Sequence, residues 1–114
     1  MRRVLFVCGR NKLRSPTAEQ IFSSYPGLEV ASAGLNDDSA TLVSAELLDW
    51  ADVIFVMEKV HRSKLSQRYG KQLKKQRIIC LDIPDKFEYM DEELVRLLKA
   101  AVPRHLRLDL SASV

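Results

Sequence analysis

Val4-Leu5-Phe6-Val7-Cys8-Gly9-Arg10-Asn11-Lys12-Leu13-Arg14-Ser15-Pro16 is the stretch on which the fold turns. Its first five residues are continuously apolar, the pattern of a strand buried on both faces. A short polar loop containing Gly9 follows. Arg14-Ser15-Pro16 then opens a segment in which Ala18, Ile21, Phe22 and Tyr25 share one helical face. Strand, tight loop and helix in that order begin a βαβ unit.

Working outward, residues 28–32, 52–57 and 77–81 are further short segments rich in apolar or β-branched residues. Helical patterns lie between and after them. Leu47, Leu48 and Ala51 share a face, and Leu94, Leu97, Leu98, Ala101 and Val102 follow the i, i+3, i+4, i+7, i+8 template. Asp91, Glu92 and Glu93 stand where a helix N-terminus favours negative charge. The order is β-α-β-α-β-α-β-α, an open α/β fold with a parallel sheet flanked by helices and right-handed crossovers. Ligands of such sheets bind beyond the carboxyl ends of the strands. Pro103 predicts a kink or an end to the last helix near residues 99–102. Residues 104–114 are then a tail, for which a short strand, a continued helix and a disordered terminus all fit the alternation of Leu106, Leu108 and Leu110.

The 114 residues are 46% hydrophobic and 29% charged, the composition of an ordinary globular chain, and they are read as a single domain spanning 1–114. At this length folding buries roughly 65% of the unfolded surface, so a core suffices without metal or staples. The longest apolar runs, 4–8 and 53–57, fall far short of the roughly 20 residues of a membrane helix. Residues 9–12 turn polar where a signal peptide would stay apolar. The expectation is a cytoplasmic protein without a membrane partner, whose Cys8 and Cys80 are thiols.

Charge is unevenly spread around a net value of +3. Residues 59–77 hold eight Lys or Arg and no acid, whereas Asp82, Asp85, Glu88, Asp91, Glu92 and Glu93 face only Lys86 over residues 82–93. The basic stretch reads first as a solvated helix face and second as a docking surface for anionic partners. Nucleic acid has no further support. His61 and His105 lack neighbours at metal-ligand spacing and are expected at the surface, with no metal and no cofactor implied. Trp50 and Met57, at the edges of the third strand, are expected in the core.

The loop at 8–14 is where a thiol meets an anion site. Loop amides and a helix N-terminus converge on one centre, which binds a tetrahedral oxyanion. Arg14 adds a planar fork able to hold two of its oxygens. A cysteine at the base of such a cradle lies in an environment that favours the thiolate, and Ser15 or a loop amide can hydrogen-bond it. Phosphoryl transfer asks for such positioning and charge stabilisation, together with an acid for the leaving group. Acid candidates lie just after the fourth strand, in Leu81-Asp82-Ile83-Pro84-Asp85-Lys86-Phe87-Glu88-Tyr89.

The sequence here resembles the low-molecular-weight protein tyrosine phosphatase family. The resemblance is carried in order by residues 4–8, Asn11, Arg14-Ser15-Pro16-Thr17-Ala18-Glu19, Ser32-Ala33-Gly34, residues 51–57 and Ile83-Pro84-Asp85. It implies a four-stranded sheet of order 2-1-3-4 and a phosphomonoester hydrolase acting through a phosphocysteine intermediate. By that resemblance Cys8 is the nucleophile, and Arg14 and the amides across Gly9, Arg10, Asn11, Lys12 and Leu13 hold the equatorial oxygens. Asn11 fixes the loop and Ser15 assists the thiolate as leaving group. Asp85 is the general acid, with Asp82 the alternative or a turn residue. The implied substrate is a phosphorylated protein, phosphotyrosine first, or a small phosphate ester.

The chain departs from the family pattern at several places. Arg10 and Leu13 stand where glycine and a second cysteine are usual, and Lys86 replaces a proline. The chain is also shorter by a helix-sized piece between Gly34 and Trp50, a segment that helps wall the phosphotyrosine slot. Leu35, Asn36 and Asp37, or Phe87 and Tyr89, are candidates to rebuild that wall. Two other readings follow. One is a non-catalytic or slow phosphate-binding module for phosphoproteins or RNA ends. The other is an arsenate reductase, which would need an external thiol. In order 2-1-3-4 one strand separates Cys8 from Cys80, about 9.6 Å at 4.8 Å per strand, beyond the roughly 7 Å reach of a disulfide.

Overall fold

The computed structural model describes residues 2–10, 12–73 and 76–106. Val4, Leu5, Phe6 and Val7 are fully buried, as their unbroken apolar run requires, and they form the centre of β1 (Arg2–Cys8). Around β1 are β2 (Leu28–Gly34), β3 (Val53–Val56) and β4 (Arg77–Cys80), all parallel, in the order β2-β1-β3-β4. The connections are α1 (Arg14–Phe22), α2 (Ala45–Trp50) and α3 (Lys59–Tyr69) followed by a 3-10 turn at Gly70–Gln72; α4 (Glu92–Leu106) closes the fold. The expected element order and the sheet order 2-1-3-4 are both present.

Alternation along the strands splits the core into two layers. Val4, Phe6, Cys8, Val53 and Phe55 face α1 and α4, packing with Ala18, Ile21, Phe22, Leu94, Leu98, Val102 and Leu106. Leu5, Val7, Ile54 and Val56 face the other way, onto Leu48 of α2 and Leu65 of α3. Phe6 stacks between Phe22 and Phe55, with ring centroids 5.8 and 5.5 Å away.

The helix containing Pro103 does not end at residues 99–102. It runs to Leu106, so Arg104 and His105 belong to it, and the rest of the expected tail, 107–114, lies outside the described residues. An interior proline costs about 3 kcal/mol, whereas burying each aliphatic side chain returns about 1.5–3 kcal/mol. Val102 and Leu106, on either side of Pro103, are both buried, and together they outweigh it. The Arg2 guanidinium also caps this end by donating to the Leu106 carbonyl.

The β4–α4 connection is held at three points. Ile83 and Phe87 are buried in the α1/α4 layer, and the Met90 amide donates to Thr17 Oγ1 at 2.9 Å. Asp82, with φ of 54°, occupies the left-handed turn that short polar side chains tolerate.

Register places Val7 beside Val56 and Val56 beside Cys80. Cys8, one residue further, points into the α1/α4 layer, while Cys80 packs against the opposite one. The two thiols are thus separated by a strand and by the sheet itself. Burial also pushes the Cys80 thiol up, which makes it a poor nucleophile toward an oxidised partner. Leu13, beside the loop, offers no sulfur. Peroxide is therefore expected to carry Cys8 to sulfinic or sulfonic acid without an internal disulfide, and reductant is then expected not to reverse it. Intact-mass and peptide analysis checks this; a reversible Cys8 to Cys80 bridge in high yield would contradict the topology.

Candidate active site

β1, β3 and β4 end side by side, and the loops leaving them meet at the carboxyl edge of the sheet. Cys8 is the last residue of β1 and lies at the base of a cavity of about 530 Å³. Its Sγ is 2.9 Å from the hydroxyl of Ser15, which is fully buried in the first turn of α1. Gly9, Arg10, Lys12, Leu13 and Arg14 also line this cavity. Asn11 lies outside the described residues, and with it the role expected for its side chain.

The carbonyls of the loop are taken up from behind by residues 35–40. The amides of Leu35, Asn36 and Ala40 donate to the carbonyls of Cys8, Gly9 and Arg10 at 3.1, 2.7 and 3.3 Å. Ser39 Oγ adds a bond to the Gly9 carbonyl at 3.1 Å. The close approach demands Gly34: a Cβ there would sit 2.1 Å from Ser39 Oγ and 2.8 Å from the Arg10 carbonyl carbon.

Arg14 is only 4% exposed and is satisfied from two other strands. Its Nη1 donates to the Ile83 carbonyl at 2.7 Å and lies 3.2 Å from Glu58 Oε2, while Nε is 3.8 Å from Asp85 Oδ1. Glu58 follows β3; Ile83 and Asp85 follow β4. Of the two acid candidates, Asp85 lines the cavity and is the more open partner, with its side chain 67% exposed. Asp82 does not line it; its carboxylate accepts instead from the Cys80 thiol at 3.4 Å.

His61 corrects the surface expectation: it is buried and lines the cavity. Its Nδ1 accepts from the Glu58 amide at 3.1 Å at the start of α3, which leaves the ring proton on Nε2, 3.5 Å from Glu58 Oε2. Burial first, then the charges of Arg14 and Lys64, hold its pKa below 6.5, against Glu58 and Asp85. Glu58 and His61 are the site residues that sequence reasoning missed. The available signal was Glu58-Lys59-Val60-His61, a helix-start spacing directly after β3 at the functional edge.

The wall of the cavity also differs from expectation. Phe87 belongs to the core, Tyr89 is exposed elsewhere, Leu35 is buried in the α2/α3 layer and Asp37 does not line the cavity. Asn36 does, together with Val60, His61 and Lys64 of α3. Trp50 is only partly buried, with the Arg3 guanidinium 6.0 Å from its ring, whereas Met57 is fully buried as expected. Arg10, directed to the surface, pairs with Asp38 at 3.4 Å. Among the described residues no group of three or more His, Cys, Asp or Glu has the arrangement of a metal site, and no helix is long and apolar enough to cross a membrane.

No family model matches the sequence, and no curated protein does. Solved structures do. The YwlE arginine phosphatase from Geobacillus stearothermophilus is 23% identical with a TM-score of 0.75, the alignment covering 97% of each chain. A low molecular weight protein tyrosine phosphatase from Streptococcus pyogenes is 20% identical, over 95% of this chain and 93% of that one, with a TM-score of 0.75. The tyrosine phosphatase Wzb from Escherichia coli K30, in complex with phosphate, is 22% identical over 92% and 96%, with a TM-score of 0.74. The chain therefore has the low-molecular-weight phosphatase fold.

The depressed His61 pKa fixes a pH dependence. The unfolded chain takes up this proton near pH 6.5 and the folded chain resists it, so the contribution to stability is complete above pH 6.5 and is lost as pH falls. Urea unfolding between pH 7.5 and 5 is expected to show this decline, and His61→Gln to flatten it. An unchanged slope in the variant would contradict the assignment.

Proposed function

We propose that the chain is a cysteine-dependent phosphomonoesterase of the low-molecular-weight protein tyrosine phosphatase type. The observation that carries this reading is the meeting of Cys8 and Arg14, from the two ends of the β1–α1 loop, with Asp85, from the segment after β4, around one cavity at the carboxyl edge of the sheet.

The reaction runs in two displacements. Arg14 and the amides of residues 9–14 hold the equatorial oxygens of the phosphoryl group. Asp85, the more exposed partner of Arg14, gives way to the incoming anion and takes up a proton from solvent. The Cys8 thiolate attacks phosphorus; the S–P bond forms as the ester P–O bond breaks, and Asp85 protonates the departing oxygen. The Asp85 carboxylate then takes a proton from water, whose oxygen attacks the phosphocysteine. Inorganic phosphate leaves and the thiolate returns to the Ser15 hydroxyl. An arsenate reductase would need a trapping thiol, and Cys80 lies on the far face of the sheet. A binding-only module gives no reason for the most exposed of Arg14's partners to be a carboxylate, which would repel a bound anion.

Hydrolysis of a generic aryl phosphate with chelator present is expected, and a phosphoarginine substrate belongs in the same assay because one structure with this fold is named an arginine phosphatase. Cys8→Ser is expected to reduce turnover to background while phosphate still binds. Arg14→Lys is expected to lose about 10²–10³-fold, because a point charge does not replace the two-oxygen fork. Substantial turnover by Cys8→Ser would sink covalent catalysis and leave the binding module.

A leaving-group series separates the acids. Asp85→Asn is expected to slow esters of high-pKa alcohols by about 10²–10⁴-fold and those of good leaving groups far less. Asp82→Asn is expected to show little dependence. Reversal of the two profiles would move the acid to Asp82.

A further inference from the structure

The cavity holds more positive charge than a phosphoryl group needs. Arg14 already faces two carboxylates that line the same space, Glu58 and Asp85. Three more cations, Arg10, Lys12 and Lys64, line it as well. Arg10 is offset by Asp38. Among the described residues, neither Lys12 nor Lys64 forms a salt bridge.

These two lysines come from separate elements, Lys12 from the β1–α1 loop and Lys64 from α3. Lys64 stands one helical turn beyond Val60, which is 51% exposed and lines the cavity too. The Lys64 charge is felt within the site, since with Arg14 it helps keep His61 neutral. Among the described residues no Phe, Tyr or Trp lines the cavity, and the one ring that does is the imidazole of His61. The walls offer apolar contact at Leu13 and Val60 and two ammonium groups not offset by carboxylates.

We propose that Lys12 and Lys64 are specificity-determining residues that bind a second anionic group next to the phosphoryl group, so that the preferred substrate is a phosphopeptide with acidic residues beside the phosphorylated side chain. This rests on the phosphatase reading of the same cavity. Lysine suits the task, because a flexible stem with a compact charge reaches carboxylates at varied positions without demanding one geometry. Lys59, Arg62 and Arg68 extend the same field along α3 and attract acidic chains toward the site. Exposed ion pairs are modest, up to about fivefold each, and salt screens them.

The test compares two phosphotyrosine peptides of equal length, one flanked by Asp and Glu and the other by Ser and Gln. Two readouts are taken: kcat/KM, and Kd in a Cys8→Ser background, which reads selectivity without turnover. The native chain is expected to prefer the acidic peptide about tenfold at low salt, and less at about 0.5 M salt. Lys64→Gln is expected to lower the ratio to about threefold and the Lys12→Gln, Lys64→Gln pair to about one, while Lys64→Arg retains it. A ratio near one in the native chain overturns the proposal, and a preference that survives the double substitution overturns the assignment to these lysines. If neither peptide nor the generic aryl phosphate nor the phosphoarginine substrate is hydrolysed but the Kd preference stands, the phosphatase reading fails and the anion selectivity remains. A small alkyl bisphosphate presents the same chemistry; preference for it over its monophosphate, with none between the peptides, overturns the peptide assignment.

Discussion

Arg14 places a permanent charge beneath the surface, and a buried guanidinium left without oxygens costs several kcal/mol. Its partners could not come from its own helix. The Ile83 carbonyl, the Glu58 carboxylate and the Asp85 carboxylate are supplied by the segments that follow β3 and β4. That requirement draws three strand ends level, and the register of Val7, Val56 and Cys80 is the sheet's answer to it. Because a guanidinium is planar and its donors diverge in fixed directions, satisfying it also fixes the angles at which the loops arrive. The cavity is the space left above that meeting point.

The thiol side is built on the opposite logic. Where Arg14 is held by charge, the start of the loop is held by its own backbone, the carbonyls of Cys8, Gly9 and Arg10 being met by residues 35–40. The support comes from just beyond β2, an outer strand of the sheet, and it passes through Gly34, where a single methyl group has no room. One half of the site thus rests on electrostatics that salt and pH modulate, the other on packing that they barely touch.

Much of this was legible in the sequence because the relevant signals are local. Buried parallel strands are continuous apolar runs, and Cys8, Arg14 and Asp85 sit immediately beyond such runs, where the topology must bring them to one edge. Glu58 and His61 obey the same rule but were hidden by their neighbours. Lys59, Arg62 and Lys64 make α3 look like a solvated face, and a histidine among them reads as another surface residue. Its burial is a tertiary fact, since the ring lies against the loop that leaves β1. Pro103 misled for a related reason: a local rule predicts a break, and two buried aliphatic side chains override it. The cavity wall was least legible, since whether Phe87 faces solvent or core depends on how one irregular connection packs.

Arg2 and Leu106 meet across nearly the whole described chain, and the layer between them mixes β1 with α4. Contacts this distant in sequence form late, because the loop must close before the contact contributes. During synthesis the strand that presents Cys8 emerges before Phe55, which stacks on Phe6, and before Asp85 and α4. A nascent chain therefore displays its thiol and this apolar strand before the later segments that cover them exist. In that interval the exposure of the thiol is set by the solvent around the chain and not by its own architecture.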